Sequence, residues 1–316
     1  MMKNEADIVE SFARHVLKIA DLLIVTDHNS TDKTRQILES LQSEGLPIII
    51  YSFDSIEHRQ EEIINEMTRQ AIELGADIIL PLDADEFLID LNGNSKSLRQ
   101  CLANLDPHKT YVSYLWDYSF ADTQKDEDKY ALSRDLIQFE HPYDATKMII
   151  GREFAISNQT FISRGNHALQ TPDNQIIDQN HPLANMFDRK SIANIYHAHF
   201  ETRSENQVLA KNMCSWITTI TANSRYTPYA RYLKQFNESF LKNSSDNYWG
   251  SKQMIQTNDL YRYRDECQNR YTQPLTRDDV IRKLYALGKS LANRVNRDKI
   301  LLKNQFVKIL VMHEGN

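Results

Sequence analysis

Three times in its first 90 residues the chain passes from an amphipathic stripe to a short apolar run and then to a polar turn. Residues 6 to 17 place Ile8, Val9, Phe12, Ala13, Val16 and Leu17 at helical spacing. Leu22-Leu23-Ile24-Val25 follows, an apolar run suited to a strand buried on both faces, and it ends in the turn formers Asp27-His28-Asn29-Ser30-Thr31-Asp32. Ile37, Leu38 and Leu41 mark a second helix, closed by Gly45 and Pro47, and Ile48 to Phe53 a second strand. Ile63, Ile64, Met67 and Ala71 mark a third helix, closed by Gly75. Asp77 to Leu82 is then a third strand, ending in Asp83-Ala84-Asp85-Glu86-Phe87. This alternation predicts an α/β fold with crossover connections. Ligands in such sheets collect at the carboxyl ends of strands, where both polar clusters lie.

The rhythm then changes. Tyr111 to Trp116 and Ile192 to His199 read as strands, with shorter strand-like pieces near Gly151 and Phe161-Ile162, and Asp122 to Lys129 as a surface loop. From Ser204 onward helix formers dominate, broken by polar stretches such as Asn243 to Tyr248. Two parts are expected, residues 1–203 as a ligand-binding domain and residues 204–316 as a mainly helical region. The net charge of −6 argues against a general nucleic-acid binder, which needs a basic face. From Arg277 to the end, however, nine Lys/Arg stand against four Asp/Glu. Ile281, Leu284, Leu291 and Val295 at helical spacing make that basic segment a candidate for peripheral contact with an anionic membrane face. A mean hydropathy of −0.56, no long apolar run and three scattered cysteines, Cys101, Cys214 and Cys267, fit a cytoplasmic protein, with the inner face of the membrane as the place of any such contact.

The strongest chemical feature is Asp83-x-Asp85. Two carboxylates on a turn leaving an apolar strand need a counter-charge, and a hard divalent cation such as Mg²⁺ or Mn²⁺ supplies one, together with substrate phosphates. Further candidates are Asp27, at the end of the first predicted strand, and His167, an imidazole suited to metal or proton. His197 and His199, two apart on a strand, share one face.

Read together, Lys3-Asn4-Glu5-Ala6-Asp7, Val25-Thr26-Asp27-His28-Asn29-Ser30-Thr31-Asp32 and Leu82-Asp83-Ala84-Asp85-Glu86-Phe87 resemble the successive signatures of family 2-type glycosyltransferases with the GT-A fold. The version ending in DxDEF is similar to a subgroup of bacterial surface-polysaccharide glycosyltransferases. Arg164-Gly165-Asn166-His167 resembles that subgroup's G-N-H element, and His197-Ala198-His199-Phe200 with Arg203-Ser204 and Lys211 its H-x-x-x-R-S region. The resemblance spans about residues 3 to 211. It implies a Rossmann-like, GT-A-type mixed sheet flanked by helices, and an inverting transfer of sugar from a nucleotide-diphosphate donor, UDP-linked for choice, to a saccharide or lipid-linked acceptor. It implies Asp83 and Asp85 at a divalent metal and the donor diphosphate; His167, in the G-N-H element, is a candidate for a third metal ligand or for the general base. Asp27, Asn4, Glu5 and Asn65 would face the nucleotide. The general base is open between His167, Glu86 and Asp173. The resemblance further implies a strand ahead of Lys3, where this sequence has Met1-Met2, so the start is expected to be trimmed or that strand very short. It also implies a glycine where this sequence has Asn29, a residue that tolerates positive φ.

Two other readings use the same residues. A haloacid-dehalogenase-like phosphatase would use Asp83 as nucleophile, although that family prefers Thr or Val where Phe87 stands and carries its motif on the first strand. A non-catalytic interaction protein on a transferase scaffold would use the basic tail.

Overall fold

The computed structural model describes residues 1–54, 59–120, 136–139, 145–178, 180–201 and a few positions beyond, chiefly 203–204, 254–257 and 270–273. The loop expected at Asp122 to Lys129 and most of the helical region expected after Ser204 lie outside them. One unit comprises Met1–Phe53, Arg59–Ser204 and Gly250–Pro274, and a second comprises the remainder. Within the second unit, Thr276 and Asp279 exchange hydrogen bonds at the start of a helical turn, and Arg282 donates to Asp279. No described helix is long and apolar enough to cross a membrane.

The first unit is a mixed α/β structure. Helix α1 (Val9–Ile19) buries Val9, Phe12, Ala13, Val16 and Ile19 on one face. It starts later than the apolar spacing suggests, because residues 6–8 form a turn. Strand β1 (Leu23–Asp27), helix α2 (Thr34–Ser43) and strand β2 (Ile48–Ser52) follow, with β1 and β2 parallel from Leu23 opposite Ile48 to Asp27 opposite Ser52. Helix α3 (Gln60–Glu73) leads to a very short strand β3 (Ile78–Ile79), and after the Asp83–Asp85 turn to strand β4 (Glu86–Asp90). Helix α4 (Ser95–Ala103) is capped by Asn94, whose side chain accepts from the amides of Lys96 and Ser97 while the Ser97 hydroxyl accepts from the Asn94 amide.

The main sheet is organised by β5 (Thr110–Phe120), whose 11 residues are long enough to serve different partners along their length. One edge pairs antiparallel with β7 (Thr146–Gly151) through residues 110–114 and with β6 (Leu136–Phe139) through residues 118–120. The other edge pairs in parallel with β10 (Phe187–Asp188) and then with β11 (Ile195–His199). Beyond β11 lies β4, antiparallel to it. Strand β12 (Met254–Thr257) extends the sheet beyond β6, and β3 pairs with β7. Helix α5 (Arg152–Asn158) and a small hairpin, β8 (Phe161–Ile162) with β9 (Leu169–Gln170), follow β7. The main sheet is therefore mixed, with its parallel pairs on one side of β5, while β1 and β2 form a separate two-stranded parallel sheet. A cavity of about 480 Å³ separates β1 from β3, lined by Val25, Met67, Ile79 and Leu102 among others. Met2 meets the end of β1 in a single parallel bridge to Asp27.

Two buried polar contacts lock α1 in place. The Glu10 carboxylate is fully buried and accepts from the backbone N–H groups of Arg270, Tyr271 and Thr272, and Arg14 supplies its counter-charge. This fixes residues 270–272 to α1. His15, also fully buried, contacts Phe87 and hydrogen-bonds the carbonyl of Leu88 through Nε2 at 2.8 Å. The carbonyl can only accept, so Nε2 carries the proton.

Burial pushes the His15 pKa down from 6.5 to about 4, with the Leu88 bond opposing. Because the folded value lies below the unfolded one, the unfolded chain binds more protons between those two pH values. The stability linked to this group is complete above pH 6.5 and is lost as pH falls towards 4, by about 2 kcal/mol at pH 5. Urea titrations at pH 7.5 and pH 5 are expected to show this difference in the parent protein and a smaller pH dependence, by that amount, in His15→Gln. An identical pH dependence in the two proteins would show that His15 takes up its proton in the folded state.

Candidate metal and catalytic site

The turn between β3 and β4 sends its acids to different partners. Asp83 Oδ2 lies 3.1 Å from Lys147 Nζ, and its Oδ1 accepts from Gln60 at 3.0 Å and from Asn166 at 3.5 Å. Glu86 Oε1 lies 2.6 Å from the same Lys147 ammonium. Both Lys147 and Glu86 are buried, at 2% and 1% exposure, so this is a desolvated ion pair with Asp83 at its wetter side. Burial pushes the Glu86 carboxyl up to about 7, the Asp83 charge adds to the shift, and Lys147 opposes it. Burial also works against the Lys147 charge, but Glu86 and Asp83 outweigh it and raise its pKa.

Asp85 faces the other way. Its Oδ2 lies 3.7 Å from Arg203 Nη1 and 3.8 Å from His199 Nε2. Arg203 is buried and also binds Glu5 at 2.5 Å and Asp7 at 2.7 Å, so one guanidinium gathers the N-terminal turn and the Asp85 turn. His199 Nδ1 lies 2.7 Å from Asp117 Oδ1 on β5. Burial alone lowers the His199 pKa, but the Asp117 hydrogen bond and the charges of Asp85, Glu86 and Asp117 raise it to about 9. Asp117, His199 and Glu201 each bring a ligand atom within 4.8 Å of the other two, a grouping able to hold a metal ion. One imidazole with carboxylates is a donor set that suits a small divalent cation. With Nδ1 engaged by a carboxylate, Nε2 is the ring's position for a ligand, and it is the atom that looks at Asp85.

The remaining sequence candidates are dispersed. Asn4 (φ 61°) accepts from the Thr31 and Asp32 amides and donates from its own backbone to Ser30, knotting the 27–32 turn, in which Asn29 takes φ 51°. The Glu5 amide donates to Thr34 Oγ1. Asp27 is buried, and among the described residues its Oδ1 has no hydrogen-bond partner. Burial raises its pKa, while bonds to Ser30 pull the other way. Asn65 is placed differently: both ends of its amide bind the backbone of Ile162, with a further bond to the Glu61 carbonyl, so it braces β8.

His167 is exposed beside Asn166, with Nδ1 2.8 Å from the Thr146 carbonyl, which leaves the proton on Nδ1 and the lone pair on Nε2. Partial desolvation by its surroundings, and then the Lys147 charge, lower its pKa. Asp173 sits in the exposed turn after β9, bonded to Thr171 and Gln175, and the Thr171 hydroxyl holds its pKa low. His197 is fully buried against Ser113 and is pushed by burial to about 3, so of the two alternating histidines His199 is the one at the acids.

Lys147 and Asp117 were not singled out from the sequence. Their signal is a lone charge in an otherwise apolar or aromatic strand, Lys147 in Thr146-Lys147-Met148-Ile149-Ile150 and Asp117 in Tyr114-Leu115-Trp116-Asp117-Tyr118. Neither motif spacing nor neighbouring polar residues mark them.

No known family model matches the chain, and no curated protein matches it either.

Removing the Arg203 guanidinium would strand three acids. Arg203→Met is expected to destabilise the protein by about 3–5 kcal/mol in urea unfolding. Arg203→Lys should recover only part of that, since an ammonium cannot fork between Glu5, Asp7 and Asp85. A loss below about 1 kcal/mol in Arg203→Met would mean that the acids are paired elsewhere.

Proposed function

We propose that the chain is a metal-dependent glycosyltransferase of the GT-A type. It would move a sugar from a nucleotide-diphosphate donor, UDP-linked for choice, to a saccharide or lipid-linked acceptor in surface-polysaccharide synthesis. The observation that carries this reading is the meeting of Asp85 with His199 beside Asp117 and Glu201. An acid of the D-x-D turn thereby joins a group that suits a divalent cation, and Arg203 ties that acid to Glu5, next to the Asn4 that knots the turn after Asp27.

In this reading Asp85 and His199, with Asp117 and Glu201 beside them, would hold Mn²⁺ or Mg²⁺, which would supply positive charge for the leaving diphosphate. Asp117 orients His199 by its Nδ1 bond. Asp27 and the Asn4-knotted turn receive the ribose or base. Asp83 stays with Lys147, Gln60 and Asn166 rather than joining the ion. His167 is the base: its ring is exposed, neutral at pH 7, and presents Nε2 as the acceptor for the proton of the attacking hydroxyl. Glu86, buried and ion-paired, and Asp173, engaged with Thr171 and Gln175, are less suited to that step.

Calorimetric titration of UDP with and without Mn²⁺ tests the reading. Binding should depend on the metal, and Asp85→Asn and His199→Ala should each abolish that dependence. His167→Ala should keep donor affinity and slow transfer by about 10²–10⁴-fold. Equal UDP affinity with and without metal would remove the metal from the account. Lys147 at 3.1 Å from Asp83 also serves the phosphatase reading, since an ammonium there would meet a transferred phosphoryl group. An aspartyl-phosphate at Asp83, found by mass spectrometry after incubation with a phosphate ester, would decide for that reading.

A further inference from the structure

Lys147 is a fully buried cation whose three N–H groups each have an acceptor: Glu86 Oε1 at 2.6 Å, Asp83 Oδ2 at 3.1 Å and the Gly165 carbonyl at 2.6 Å. The first two belong to the β3–β4 turn and the third to the loop that carries His167. We infer that Lys147 is a positioning residue, tying the acid-bearing turn to that loop so that the His167 ring is held in one orientation and one tautomer. The catalytic part of this inference rests on the transferase reading; the geometric part does not.

Several contacts hold the loop, and Lys147 supplies the one at the Gly165 peptide. Asn65 grips Ile162 at the start. The Thr146 carbonyl takes the Nδ1 proton of His167 at the end. Between them Gly165 adopts φ +75° and lies so close to the imidazole that a Cβ would meet its Cδ2 at 2.7 Å. The Gly165 peptide therefore forms a wall against the ring, and its carbonyl accepts from the Lys147 ammonium. Asn166 adds a longer bond from the same loop to Asp83. Thr146 and Lys147 are adjacent on β7, so one strand holds the ring by its backbone and the loop by its side chain. Arginine cannot replace this lysine, because a planar fork does not point to three acceptors converging on one nitrogen.

The test compares Glu86→Gln alone with Glu86→Gln/Lys147→Met, so that the fully buried Glu86 carboxylate is not left without its cation; Asp83, the more exposed acid, keeps its bonds from Gln60 and Asn166. Nitrogen-15 NMR of His167 in the ligand-free protein should show the Nδ1–H tautomer in the single variant and a mixture of tautomers in the double variant. Amide exchange over residues 163–168 should quicken by about tenfold or more. In a transfer assay kcat should fall by about 10²-fold with donor KM within about threefold, the split expected of a misplaced base. A Lys147→Arg variant should not restore the single tautomer. Unchanged tautomer and exchange in a folded double variant would overturn the inference. Should that variant not fold, Gly165→Ala, which crowds the ring with Lys147 intact, should produce the same mixture of tautomers, and an unchanged ring would overturn it. If the NMR result is obtained but the parent transfers no sugar, the positioning role stands and the transferase reading falls.

Discussion

A carboxylate withdrawn from water needs a cation, and this requirement organises the whole carboxyl end of the sheet. Glu5, Asp7, Asp83, Asp85 and Glu86 come from two turns, and two buried cations from elsewhere in the chain divide them. Lys147 on β7 takes Asp83 and Glu86. Arg203, just beyond β11, takes Glu5, Asp7 and Asp85. Each pair is costly to assemble and costlier to break, so the cations fix the relative positions of the segments they join. His199 lies at the seam, between Asp85 and Asp117, where acids are in excess.

The hydrophobic packing behind this seam keeps it rigid. Phe87 follows the acids directly and sits against Phe12 of α1 and Phe200, at ring-centre distances of 6.1 Å and 5.5 Å in edge-on geometry. The Asp85 carbonyl accepts from the Phe200 amide, so the two segments that bring Asp85 and His199 together are joined by backbone as well as by side chains. The D-x-D turn is therefore not a loose loop: it runs straight into β4, whose second residue, Phe87, is a core residue.

The first two helix–strand units were legible because each strand is an apolar run and each helix a clean stripe; of the third strand, expected over Asp77 to Leu82, only Ile78–Ile79 forms, and it pairs antiparallel with β7. Strand β4 was not, since Glu86 to Asp90 begins and ends with acids and follows a turn at once, so its burial on both sides shows only when β11 pairs with it. Helix α4 carried a readable signal, Asn94 three residues before Ser97 with Leu98 and Leu102 on one face, which the surrounding polar residues masked. Asp83, Asp85 and Asp27 stood out because turn acids after apolar strands are locally conspicuous. The counter-charges did not. The sequence argument that two such acids call for a metal overlooked Lys147, 64 residues from Asp83, and the reach of Arg203 back to the N-terminal turn. Long-range pairing of this kind depends on sheet order, which local pattern does not carry. The alternation of His197 and His199 told which face they share but not that Ser113 claims one and Asp117 the other.

The central claim is that the divalent cation belongs with Asp85 and His199 and that Asp83 is held by Lys147. Anomalous diffraction from crystals grown with Mn²⁺ and UDP tests it most directly. The account predicts one manganese peak bonded to Asp85 and His199 Nε2, with the Lys147–Asp83 contact intact. A peak bonded to Asp83 and His167, with Lys147 displaced, would contradict it.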